Sequence, residues 1–138
     1  MKGVNPKVKR KPIDKETRKK VWAKYDGRCA YCGCQLAFEE MQVDHIVSLK
    51  KGGTSDIENL NPSCRSCNHY KSTLTLEQFR NMVLGIPDRL ARQSVPYQVG
   101  LRFNIFTVNP LAKKNRLFYY EKQEQKNTGV NDEVHEKH

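Results

Sequence analysis

The stretch RCAYCGC, Arg28 to Cys34, and its distant echo CRSC, Cys64 to Cys67, decide how the rest of the chain is read. Cys29-x-x-Cys32 and Cys64-x-x-Cys67 are two knuckles. A two-residue gap lets both thiolates of a pair face one point, and two such pairs complete a tetrahedron around Zn²⁺. The cysteine count is five, an odd number, which argues against a disulfide framework. A redox role for either pair is less favoured, because two paired motifs together suit a metal better. Cys32 is preferred over Cys34 as the fourth sulfur, and Cys34 reads as a free small residue. The pairs lie further apart than in a compact zinc ribbon, so the chain between them must fold back.

That intervening chain contains VDHIVSLKKGG, Val43 to Gly53. Val43, Ile46 and Val47 read as a strand entering a core. Asp44 and His45 stand side by side within it, and buried polar groups of this kind need hydrogen bonds or a metal. Residues 40 to 47 alternate roughly as a strand, and Lys50 to Ser55 forms a turn on Gly52-Gly53. Residues 56 to 61 read as a short return strand or loop. A helix should follow Cys64 and run to about Ser72.

Outward from this centre, Asp14 is an N-cap for a helix to about Tyr25, with Gly27 as its stop and Trp22 as a core anchor. Thr75 to Leu84 reads as a helix with a Thr75/Gln78 capping box and Gly85 at its end. Pro87 to Gln93 adds a helical turn. LRFNIFTV and RLFYYE read as two strands around an NPLAKKN loop. The domain reading is a basic flexible arm over 1–12, a domain over 13–85, a C-terminal extension over 86–122 and a disordered tail over 123–138.

Composition narrows the function classes. The net charge of +10 is concentrated near the N-terminus, from Lys2 to Lys20, as suits a polyanionic partner. The apolar share is small, so a structural metal would serve as a staple for a modest core. No apolar run reaches the length of a membrane span and no signal-like stretch opens the chain, so a soluble, cytoplasmic protein with no membrane partner is expected.

The ordered set RCAYCG, VDHIVSLKKGGTSDIENL and CRSCNHYK resembles the HNH endonuclease family, over about Arg18 to Ser72. The resemblance implies an α+β fold. Its centre is a zinc-stapled ββα-metal core, with a preceding helix, following helices and, from the strand pattern above, a C-terminal β-hairpin. It implies His45 as general base, Asp44 and Asn68 as ligands of a catalytic Mg²⁺ or Mn²⁺, and Cys29, Cys32, Cys64 and Cys67 as ligands of structural Zn²⁺. Asn59 either orients the His45 loop or is a plain turn residue. His69 points about a hundred degrees from Asn68 on a helix and reads as a phosphate contact. With the register shifted by one, His69 is the ligand and Asn68 the bystander.

Lys50, Lys51, Arg65 and Lys71 join His69 as candidate DNA contacts. The implied reaction is hydrolysis of DNA to 5′-phosphate and 3′-hydroxyl ends, by a phage, restriction or mobile-element enzyme. Phage packaging proteins or a second copy are the implied partners besides DNA, and a bacterial host cell the setting. The competing reading is a non-catalytic zinc-ribbon nucleic-acid-binding module. It needs the cysteines and the charge, but not Asp44, His45 and Asn68 together.

Overall fold

The computed structural model describes residues 12–112, 114 and 117–129. The basic arm therefore lies outside the described residues except for Pro12, and so does the tail beyond Gly129.

Helix α1, Lys15–Ala23, begins where Asp14 accepts a hydrogen bond from the Thr17 N–H at 2.7 Å. Its end is enforced by Gly27, in the left-handed region at φ +74°. A Cβ there would stand 2.8 Å from the Trp22 ring, so only glycine lets the turn close on the indole. Trp22 in turn donates to the Leu36 carbonyl at 2.9 Å and meets Phe38 edge-on. It is a half-buried anchor, as the sequence pattern expects.

Strand β1, Gln42–His45, pairs antiparallel with β2, Leu60–Ser63. The register sets Asp44 opposite Asn61 and His45 opposite Leu60. The strand is shorter than the 40–47 expected, because residues 38–40 form a 3₁₀ turn before it. β2 is buried along its whole length. On its α1 side Lys24 reaches in, and its Nζ donates to the Leu60 and Ile57 carbonyls at 2.6 and 3.1 Å. Helix α2, Arg65–Lys71, follows directly and packs against β1, completing a ββα unit.

Helix α3, Leu76–Leu84, carries the expected Thr75/Gln78 capping box. Helices α4, Ile86–Gln93, and α5, Val95–Arg102, follow. Among the described residues no helix is long and apolar enough to cross a membrane. The class is α+β, with mixed helices, a two-stranded sheet and a four-cysteine cluster.

Among the described residues the C-terminal β-hairpin is not present. Where the first strand was expected, α5 ends and turns follow; where the second was expected, helix α6, Tyr119–Asn127, begins. Ser94 caps α5 by accepting from the Tyr97 N–H at 3.2 Å, and Pro96 sits in its first turn, so the local signals favour a helix. Phe103 and Phe106, whose aromatic rings suited the core of such a hairpin, are both exposed, Phe103 at 75%, and Ile105 between them is exposed at 76%.

The period-two pattern at 118–120 was real, but its partner is elsewhere. Phe118 and Tyr120 enter the core, and the Tyr119 and Tyr120 N–H groups donate to the Tyr31 and Ala30 carbonyls at 3.1 and 2.8 Å. The chain thus pairs with the first cysteine knuckle rather than with residues 101–108. Residues 123–127, expected in a disordered tail, continue α6.

A bidentate ion pair fastens this segment. Arg80 Nη1 and Nη2 donate to the Glu121 carboxylate at 2.8 and 2.7 Å, with the guanidinium 4.6 Å from the Phe118 ring centre. Phe118 stacks on Phe79 at 5.2 Å. Replacing Phe118 with Ala should cost about 3 kcal/mol or more, as for other buried aromatics. Phe103→Ala should stay within about 0.5 kcal/mol. Urea unfolding of the two variants checks both values.

Candidate active site and metal centre

The two knuckles meet. The Sγ atoms of Cys29, Cys32, Cys64 and Cys67 all lie within 4.8 Å of one another. A tetrahedral Zn–S length of about 2.3 Å implies sulfur–sulfur edges of about 3.8 Å. Cys32 Sγ and Cys64 Sγ stand 3.9 Å apart. The donor set and its spacing fit a closed, four-thiolate structural site. Cys34 lies outside the cluster, as expected.

Local backbone makes the convergence possible. Gly33 at φ +80° turns the first knuckle, and its N–H donates to the Cys29 carbonyl at 2.9 Å. Ala30 N–H donates to the Pro62 carbonyl at 2.8 Å, which carries the first knuckle to the end of β2. Cys64 caps α2, accepting from the Cys67 N–H at 3.4 Å.

The protein charges this cluster unevenly. The Cys67 thiol and nearby backbone donors pull the Cys29 thiol down to about 4. That same hydrogen bond to Cys29 pushes the Cys67 thiol up, and burial pushes Cys32 up. The thiolate is thus favoured at Cys29, while Cys32 and Cys67 favour the protonated form unless a cation compensates their charge.

A second site sits beside β1. Asp44, His45, Ser48, Asn68 and His69 line a polar cleft of about 230 Å³. Asp44 and His45 are neighbours on one strand, and alternation would send them to opposite faces. Both reach the cleft because β1 ends there and the chain turns away at once. Asp44 is 4% exposed. It accepts from the Tyr31 hydroxyl, and its two oxygens lie 3.1 and 3.3 Å from Lys71 Nζ. Burial pushes its carboxyl above the ordinary range, against the pull of the Tyr31 hydroxyl and the Lys71 charge. His45 Nε2 lies 3.1 Å from Ser55 Oγ.

Asn59 is the brace of the loop after His45. Its Oδ1 accepts from the Val47 N–H at 2.9 Å, and its Nδ2 donates to the Val47 and Thr54 carbonyls at 3.0 and 2.7 Å. Gly53 completes the turn. A Cβ there would fall 1.8 Å from the Val47 carbonyl oxygen, so no other residue fits without moving the backbone.

The candidate DNA contacts divide. Lys50, Arg65 and His69 are exposed, and His69 lines the cleft with Asn68 rather than facing away from it. Lys51 is exposed, with its ammonium 3.4 Å from Gln78 Oε1. Lys71 is not a surface contact. It is 0% exposed, and its ammonium bridges the Asp44 carboxylate and the His45 carbonyl, the latter at 3.1 Å.

The physical reason lies in the α2 periodicity. Cys64, Cys67 and Lys71 follow one another at three- and four-residue steps, so the stripe that turns the sulfurs inward turns Lys71 inward as well. That spacing was available in the sequence. The Tyr31 hydroxyl and Ser55 were missed, and no local signal marks either, because both partners are remote in the chain.

Oxygen donors fit a hard divalent cation in this cleft: the Asp44 carboxylate, the Asn68 amide and the Ser48 hydroxyl. Ser48 is buried, and its Oγ has no hydrogen-bond partner among the described residues.

Residues 29–73 match the family model for HNH endonucleases. Over those residues the chain is similar to HNH endonucleases. The match spans the first knuckle, the β1 Asp-His pair, the Asn59 loop and α2. A comparison with curated proteins gives no match. Among solved structures, the chain is similar to the Type II-C Cas9 enzyme from Actinomyces naeslundii. Identity is 26% and the TM-score is 0.45, over 53% of this chain and 8% of that one.

At neutral pH the four-cysteine cluster should hold one tightly bound metal ion. Cys67→Ser should lose it and Cys34→Ser should keep it, as read by elemental analysis after gel filtration. Metal binding must displace thiol protons, so the ion should be released as pH falls. Removing one partner of a buried ion pair strands the other charge. Lys71→Ala should therefore cost about 3–5 kcal/mol, measured by urea denaturation.

Proposed function

We propose that this protein is a metal-dependent DNA endonuclease of phage, restriction or mobile-element type, stapled by Zn²⁺ in the four-cysteine cluster. The reading is carried by one observation: Asp44, His45 and Asn68 line a single polar cleft beside that cluster. A zinc-ribbon binding module has no need to bring these three together. The family match over residues 29–73 supports the same reading.

The roles follow from the chemistry of each group. His45 takes the proton of the attacking water at a ring nitrogen, the role an imidazole base fills in general base catalysis. Asp44 and Asn68 present oxygen atoms for Mg²⁺ or Mn²⁺. A divalent cation held there supplies charge neutralisation at the phosphate and at the leaving oxygen. The water oxygen bonds to phosphorus as the bond to the 3′ oxygen breaks, giving 5′-phosphate and 3′-hydroxyl ends. Asn59 acts on the His45 loop through its backbone hydrogen bonds and does not touch substrate. Lys50, Lys51, Arg65 and His69 supply positive or hydrogen-bonding groups for the backbone of the bound DNA, largely independent of base sequence.

Plasmid DNA incubated with the zinc-loaded protein and Mg²⁺ or Mn²⁺ should be nicked or cut. His45→Ala should slow this about a hundredfold or more, the usual scale for a general base. Mild EDTA should stop cleavage before it unfolds the chain, because the sulfur-bound ion is held more tightly. Wild-type protein that binds DNA but cuts with no divalent ion would establish the binding module instead.

A further inference from the structure

Tyr31 stands at the junction of every part of this fold. It lies between Cys29 and Cys32, so the first knuckle fixes its backbone. Its carbonyl accepts from the Tyr119 N–H at 3.1 Å. Its ring meets Phe79 and Phe118 edge-on, with centres 5.4 and 5.2 Å away, and Tyr120 at 6.1 Å. It is 4% exposed. A ring held on three sides by aromatic groups has one rotamer available, and its hydroxyl therefore has one position. That hydroxyl donates to the Asp44 carboxylate.

Packing alone does not require this arrangement. A phenylalanine would fill the same aromatic cluster and leave no buried hydroxyl to satisfy. The hydroxyl instead fixes a carboxylate that also lines the polar cleft. Lys71 grips the same carboxylate from α2, so Asp44 is held by the two segments that also bear the sulfur pairs.

We propose that Tyr31 is a positioning residue: its hydroxyl, locked between the first knuckle and the docked C-terminal segment, orients the Asp44 carboxylate for a divalent cation in the cleft. The proposal rests on the nuclease reading above. It extends the working unit beyond residues 29–73, because Phe118, Tyr119 and Tyr120 hold the ring that holds the carboxylate. Outer partners of metal ligands commonly change affinity or activity by about 10- to 100-fold when removed.

The test uses the full, zinc-loaded chain and Mn²⁺ as the probe. Binding is measured directly by titration calorimetry, and plasmid cleavage is followed against Mn²⁺ concentration. Tyr31→Phe should weaken Mn²⁺ binding about tenfold and raise the half-saturating Mn²⁺ concentration for cleavage equally. The cleavage rate at saturating Mn²⁺ should return to within about threefold of wild type, the split expected when metal affinity rather than chemistry is lost. Asp44→Asn is the reference and should abolish binding at the cleft.

A purely structural hydroxyl would lower the melting temperature and leave Mn²⁺ affinity of the folded protein unchanged, which overturns the proposal. If Tyr31→Phe does not fold, Phe118→Leu loosens the same clamp. It should weaken Mn²⁺ binding in the same direction, and wild-type affinity there overturns the proposal as well. If wild type and Asp44→Asn bind Mn²⁺ alike and neither cuts DNA, the nuclease reading itself fails and this inference with it.

Discussion

Four sulfur atoms from two ends of a long excursion must stand within bonding reach of one ion. That constraint organises everything else. It brings Arg28–Cys34 against the start of α2, and the chain between has room only for a short antiparallel pair and a braced loop. The small apolar content could not hold such an arrangement by burial alone. A metal held by the four sulfurs would supply the closure, and the strands would then inherit a fixed position relative to α2. Because four thiols converge on one point and metal binding must displace their protons, fold and cation would be linked energetically.

The consequence at the centre is a carboxylate held by two neighbours, the three groups coming from different parts of the chain. Asp44 comes from β1, Lys71 from α2 and Tyr31 from the first knuckle. A buried carboxylate without such partners would be strongly unfavourable. Here the partners also define where its oxygens point. The same Lys71 ammonium takes the His45 carbonyl, so the strand end is pinned where the imidazole leaves the backbone. Stability and placement of the chemical groups are therefore served by one set of contacts. Changes there alter both, and only readouts that separate affinity from folding can divide them.

The C-terminal segment has a related role. Outside the family match, Phe118 and Tyr120 complete the aromatic core around Tyr31, and the Arg80–Glu121 pair fastens them. The exposed Phe103 and Ile105 belong to a different surface, and they contribute nothing to that core. An extension that looks separable along the chain is thus divided in space, with one part in the core and one part at the surface.

The sequence alone determined the cysteine pairing into one cluster, the Asp14 and Thr75 caps and the short helix after Cys64. Each rests on spacing or on a cap, and both are local in the chain. Asp44, His45 and Asn68 were grouped by resemblance to a family rather than by spacing, and the fold sets them along one cleft. Asn59 could be read as a brace or as a plain turn residue, and its paired bonds to Val47 decided for the brace. Local pattern misled at residues 101–121, because alternation says that a segment will pair but not with what. Tertiary structure alone decided that Phe118–Tyr120 docks on the first knuckle and that Tyr31 reaches Asp44. Those contacts join residues that share no local period, and only the folding back of the chain between the two cysteine pairs brings them within hydrogen-bonding distance. The burial of Lys71 was legible in the α2 spacing, but its partners Asp44 and His45 were not.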